Sequence, residues 1–164
     1  MTRPLVMYPH KVLRTPAASV AEITDDIRAI WDEMVGVMDA MPGYGLAAPQ
    51  LGIGLSLAVV DASTKRGQAI RLANPEILHS SVAPRTHEEA SPNLPGVSAK
   101  IIRPRAVTVR FLNVDGVWDR HEFVGLWATS VQHQIDHIAG KMYFDRLSRM
   151  KRDMLIKKAA KLRG

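Results

Sequence analysis

The 164-residue chain contains no cysteine. That excludes disulfides, thiolate catalysis and every zinc site that needs sulfur. Long apolar runs are missing as well, and none approaches the roughly 18 residues needed to span a bilayer. Met1 to Arg14 has no apolar core followed by a small-residue cleavage site, so no secretory signal is expected and a cytoplasmic protein is the plain reading. What remains is ordinary globular composition. Hydrophobic residues make up 46% and charged residues 23%, enough to bury a core in a single domain spanning 1–164.

Acidic residues are scarce in one place. The chain carries a formal net charge of +6, which favours anionic partners, although many soluble enzymes carry as much without binding any. From Arg146 onward stand Arg146, Arg149, Lys151, Arg152, Lys157, Lys158, Lys161 and Arg163, opposed by Asp153 alone. The basicity belongs to the tail, and the rest is close to neutral.

Periodicity gives an outline of the elements. Pro4 to Pro16 reads as extended. Thr24 caps a helix in which Ile27, Ile30, Met34, Val37, Met38 and Met41 recur at helical spacing, with Asp25 and Asp26 at the positive end of its dipole. Pro42-Gly43 stops it. Leu55 to Val60 reads as a strand, and Ile70 to Leu72 as a shorter one ending at Asn74-Pro75. Glu88 to Gly96 reads as irregular. Val107, Val109 and Phe111 alternate with polar residues, and Asp115-Gly116 turns into a return strand through Val117 and Phe123. Gly125 to Ala139 has helical spacing with Gly140 as C-cap, and Ser148 caps a last helix over 148–163. No repeat, low-complexity tract or interdomain linker interrupts this order. The class is α+β, with mostly antiparallel sheets.

Two segments carry candidate chemistry. In Gln132-His133-Gln134-Ile135-Asp136-His137, His133 and His137 lie one turn apart on one helical face, able to hold a metal ion together. In His-Glu-x-x-His enzymes the glutamate after the first histidine is the general base, and Gln134 occupies that place. Taken alone, the pair reads better as two surface or packed histidines than as metal ligands, and Asp136 as either an orienter of His137 or a solvated carboxylate. The second segment is Gly43-Tyr44-Gly45-Leu46-Ala47-Ala48-Pro49-Gln50. Its glycines permit close backbone approach, and Gln50 can offer an amide to a developing oxyanion.

Together, Gly-x-Gly-x-Ala-Ala-x-Gln followed by Gln-His-x-x-Asp-His resembles the peptide deformylase family. Met7-Tyr8-Pro9, Asn74-Pro75-Glu76, the Arg103-Pro104 pair and the helix after Tyr143-Phe144-Asp145 extend the likeness over nearly the whole chain. The resemblance implies that family's fold, with antiparallel sheets around a central motif-bearing helix and a C-terminal helix. It also implies the family reaction. A divalent metal (iron, zinc or nickel) held by two histidines and a cysteine activates water, which removes the formyl group from the initiator methionine of new proteins. Carried over, the implied metal positions are His133, His137 and Ser91, the catalytic positions Gln134 and Gln50, and the substrate positions Gly43, Tyr44, Gly45, Glu89 and Pro92. A formyl-Met peptide or nascent chain is the implied ligand, and the ribosome an implied partner through the basic C-terminal helix. Neither a membrane nor DNA is implied.

The sequence departs from the family at the Glu-Gly-Cys-Leu-Ser motif, where Glu89-Ala90-Ser91-Pro92-Asn93 stands. Ser91 replaces the ligand cysteine, and a neutral hydroxyl is a much poorer ligand than a thiolate. Pro92 falls where a backbone N–H would stabilise the oxyanion, and proline has none. With Gln134, three separate roles are affected. Losing a general base typically removes about 10²–10⁴-fold in rate, and losing one oxyanion donor about 10²–10³-fold. Three readings stay open: a deformylase-like protein with an impaired or silent site, a hydrolase rearranged around Glu88 or Glu89, and a non-enzymatic ribosome- or peptide-binding protein. The stripe Met150, Met154, Leu155, Ala159 and Leu162 of the last helix is expected to pack on the body.

Overall fold

The computed structural model describes residues 2–163. Helix α1, Asp25–Ala40, starts where expected, because the Thr24 hydroxyl accepts from the Ile27 N–H. It buries Ile27, Trp31, Met34 and Met38, with Ile30, Val37 and Met41 packed at the margin of the same cluster. Beneath it lies a five-stranded antiparallel sheet. Its strands are β1 (Gly45–Ala47), β2 (Leu57–Val60), β3 (Ile70–Ser80), β6 (Ala106–Leu112) and β7 (Trp118–Val124), in spatial order β1-β2-β3-β6-β7. Strands β4 (Pro84–Ser91) and β5 (Leu94–Pro104) form a separate antiparallel hairpin. The α+β class and the antiparallel pairing agree with expectation.

Helix α2, Leu126–Ile138, runs through the middle of the molecule. Nine of its residues are buried, seven of them polar, because it is covered by the sheet on one side and the hairpin on the other. Gly140 follows it at φ +79°, as a C-cap glycine should. The last helix, α3 (Arg149–Leu162), is capped by Ser148 and rests on β5 and the turn at Tyr143–Arg146. No described helix is long and apolar enough to cross a membrane.

Four expectations need correction. Strand β3 does not stop at Asn74-Pro75 but continues to Ser80. Asn74 adopts φ +50° at a register shift, and its side chain exchanges two hydrogen bonds with the Val20 backbone. Pro75 therefore sits in a bulge, where its missing N–H breaks no ladder bond. Glu88 to Gly96 is not irregular. It forms the tip of the β4–β5 hairpin, with Pro92 and Asn93 in the turn where proline is tolerated. Within the extended N-terminal segment, Lys11–Arg14 forms a 3₁₀ turn. In α3 only Leu155 and Ala159 of the expected stripe are buried, while Met150, Met154 and Leu162 are exposed. The contact with the body is narrower than the apolar pattern, so the two methionines lie among lysines on the outer face.

Gly140 fixes how α2 meets the N-terminal segment. A Cβ there would lie 3.0 Å from the carbonyl carbon and oxygen of Arg14, on a backbone that L-residues already disfavour. Gly140→Ala is therefore expected to lower unfolding free energy by about 2 kcal/mol or more in urea titration. An unchanged midpoint would show that this junction yields easily.

Candidate active site

The β1 turn, the hairpin tip and one face of α2 from Leu126 to Gln134 enclose a cleft of about 260 Å³. Gly43, Tyr44, Gly45, Gln50, Glu88, Glu89, Pro92, His133 and Gln134 line it. Ser91 and His137 are buried and do not line it. The residues singled out in the sequence thus come from three separate segments to one place. Gly45 lets α2 approach, because a Cβ there would fall 2.6 Å from Ser130 Oγ and 2.7 Å from Gln134 Nε2. The Ser130 hydroxyl donates to the Tyr44 carbonyl at 2.7 Å and closes the same contact.

His133 and His137 are neighbours as the helical spacing requires, with ring centroids 4.9 Å apart. They differ in their partners. His133 Nδ1 lies 2.8 Å from Glu89 Oε1, so it carries the proton and donates to the carboxylate. His137 is fully buried, and neither of its ring nitrogens has a hydrogen-bond partner. Burial, with the nearby positive charges of Arg103 and Arg14, pushes its pKa well below the usual histidine range and keeps it neutral.

Glu89 belongs to a chain of buried charges. Arg103, on β5 and sealed from solvent, donates to both Glu89 oxygens at 2.6 and 2.8 Å and to Asp136 at 2.9 Å. Arg146 makes a second two-pronged contact with Asp136 at 2.8 Å. Burial alone would raise the Glu89 carboxyl, but the bonds from Arg103 and His133 outweigh it and hold the pKa at about 2. Asp136 therefore neither orients His137 nor lies solvated. It bridges two arginines. Sequence reasoning missed the role of Arg103, although a lone arginine after Ile101-Ile102 in a strand is a sign of a buried ion pair.

Gln50 is also fixed. Its Oε1 accepts from the Ala47 N–H at 2.9 Å and its Nε2 donates to Asn93 Oδ1 at 2.6 Å, leaving one amide proton uncommitted. Gln134 Oε1 is buried with no partner. An amide there has no useful basicity.

The donor atoms do not fit the metal that the histidine pair suggests. No group of three His, Cys, Asp or Glu side chains among the described residues could hold an ion. Ser91 Oγ lies 3.2 Å from Asn93 Oδ1 and acts as its donor. Both Glu89 oxygens are held by Arg103. Two imidazoles alone fall short of the three or more protein ligands that zinc sites use. Glu88, exposed at the rim, accepts from Ser98 Oγ.

Arg103→Met would leave Glu89 without its cationic partner in a dry interior and Asp136 with Arg146 alone. Breaking one partner of a buried ion pair typically costs about 3–5 kcal/mol, and that loss is the expected outcome in chemical denaturation. A loss below about 1 kcal/mol, the scale of a surface pair, would mean that the cluster is solvated.

The polypeptide deformylase family model matches residues 2–153. The peptide deformylase of Acidobacterium capsulatum is 40% identical over 164 residues, covering 99% of this chain and 96% of that protein. The peptide deformylase of Rhizobium meliloti is also 40% identical, over 168 residues, with 99% and 96% covered. Among solved structures, peptide deformylase from Ehrlichia chaffeensis superposes with a TM-score of 0.92 at 28% identity, covering 99% of this chain and 97% of that one. That from Legionella pneumophila gives 0.91 at 33%, covering 99% and 96%.

Proposed function

The chain belongs to the polypeptide deformylase family, and we propose that it keeps the family's pocket for the methionine end of a new protein while hydrolysis is impaired or lost. One observation carries the reading. The side chain next to His133 that would have to accept a proton is the amide of Gln134, whose buried oxygen meets no partner. Ser91, as a donor to Asn93, and Pro92, without an N–H, support it from the other side of the cleft.

The remaining groups suit binding. Gln50 holds one amide proton in a fixed direction, ready for a carbonyl oxygen such as that of a formyl group. Met41 and Leu126 line the same cleft and suit an unbranched apolar side chain. His133, oriented by Glu89, closes the far wall. Iron, zinc or nickel is expected to bind weakly or not at all. A rearranged hydrolase has less support, since both Glu89 oxygens are committed to Arg103 and Glu88 lies exposed beside Ser98.

Turnover of formyl-Met peptides, with metal supplied, should fall at least about 10⁴-fold below an ordinary family member, combining the smaller ends of the base and oxyanion losses. Gln134→Glu alone should restore almost none of it. Gln134→Glu with Ser91→Cys and Pro92→Leu should restore measurable release of formate. Turnover of the unaltered chain within tenfold of a relative, or full recovery by the single change, would overturn the reading.

A second reading concerns the tail. Lys151, Lys157, Lys158 and Lys161 are exposed on the outer face of α3 beside Met150 and Met154, a surface suited to RNA phosphates. If it docks on ribosomes, reversing Lys157, Lys158 and Lys161 to Glu abolishes co-sedimentation at low salt while the protein stays folded. Equal binding by the reversed protein, or none by the unaltered one, would make the tail a solubility feature.

A further inference from the structure

Asn93 is buried completely, and every polar atom it owns has a partner. Its Nδ2 donates to the Val6 and Gln50 carbonyls, and its Oδ1 accepts from Gln50 Nε2 and Ser91 Oγ. Its backbone carbonyl accepts from the Tyr8 N–H at 2.8 Å. One residue therefore ties together three segments far apart in sequence: the N-terminal strap through Val6 and Tyr8, the Ala48–Leu51 turn that carries Gln50, and the β4–β5 hairpin tip. Gln50 and the hairpin tip line the cleft together with His133 and Gln134 of α2, and the strap braces Asn93 from outside that lining.

We infer that Asn93 is the positioning residue that assembles this site without a metal ion. The inference rests on the mismatch between the donor atoms and a metal, and on the completeness of the Asn93 cluster, not on what occupies the cleft. A metal that held the site together would have to bridge the hairpin tip to α2, but Ser91 Oγ is spent on Asn93, both Glu89 oxygens are held by Arg103, and no group of three His, Cys, Asp or Glu side chains among the described residues could hold an ion. The hydrogen bonds around Asn93 already hold the hairpin tip against the Gln50 turn. They also set the direction of the Gln50 amide, because Ala47 fixes its oxygen side and Asn93 its nitrogen side. A buried amide whose donors and acceptors are all met specifies one arrangement, since any other strands several of them.

The test is thermal unfolding of the purified full-length protein in the presence of a chelator, and again with added zinc or nickel. A native-state ligand present at a hundred times its Kd would raise the midpoint of a chain this size by about 5–10 °C. The expected shift is under about 1 °C in either direction on the same scale. Asn93→Ala is expected to melt about 5 °C or more below the unaltered protein, because it strands the Val6 carbonyl and Gln50 Nε2. That loss should be unaffected by metal. Should Asn93→Ala not fold, the milder Asn93→Ser keeps a hydroxyl but not the two donors. Its Gln50 side-chain amide protons should then exchange with solvent faster by NMR, a change that a merely space-filling residue would not produce. A midpoint that falls with chelator or climbs by several degrees with metal would overturn the inference. So would an Asn93→Ala protein that melts like the original, or unchanged Gln50 exchange in Asn93→Ser.

Discussion

A guanidinium sealed from solvent on β5 organises the centre of this molecule. Arg103, which stays charged, could not be buried in that position without Glu89 on one side and Asp136 on the other. Satisfying it fixes where the hairpin lies against α2, because Glu89 comes from β4 and Asp136 from the helix. The tautomer of His133 follows, as does the position of Arg146, which closes the chain of charges at the surface. Glu89 is thereby fully employed in structure. A carboxylate with three hydrogen bonds and a pKa held at about 2 has little capacity left to act as a base near neutral pH.

The proposed function separates the shape of the site, which this chain keeps, from its hydrolytic chemistry, which would be impaired. Gln50, Gly45 and His133 line one cleft, with His137 buried beside His133. The three substituted positions each keep approximate size while removing one property. Gln134 keeps the side-chain length of glutamate without its basicity. Ser91 keeps the shape of cysteine without the thiolate. Pro92 keeps an apolar surface without the N–H. On the proposed function, binding would depend on packing and on the fixed amide of Gln50, whereas rate would depend on the three properties these positions lack.

Much of this was legible in the sequence wherever one local rule acted alone. Thr24, Gly140 and Ser148 mark helix ends because caps are short-range. The 133/137 spacing put two rings on one face. What stayed hidden depends on tertiary context. Asn74 takes over backbone bonding at a bulge that Pro75 seemed to forbid. Asn93 reads as a turn residue until Val6 and Gln50 arrive to meet it. The destination of Asp136 was illegible because its partners, Arg103 and Arg146, lie on other elements. The last helix misled in the opposite way: Met150 and Met154 fit an apolar stripe, but the body offers room only for Leu155 and Ala159.

A pocket that binds without cutting would hold its formylated ligand unchanged. The most direct measurement holds the protein with an excess of a formyl-Met tripeptide for many hours with metal supplied. The complex is then separated by gel filtration, and the bound peptide is weighed by mass spectrometry. Recovery of the peptide with its formyl group intact, in proportion to protein, is the predicted result. Recovery of the deformylated peptide, or of no peptide at all, would contradict the account.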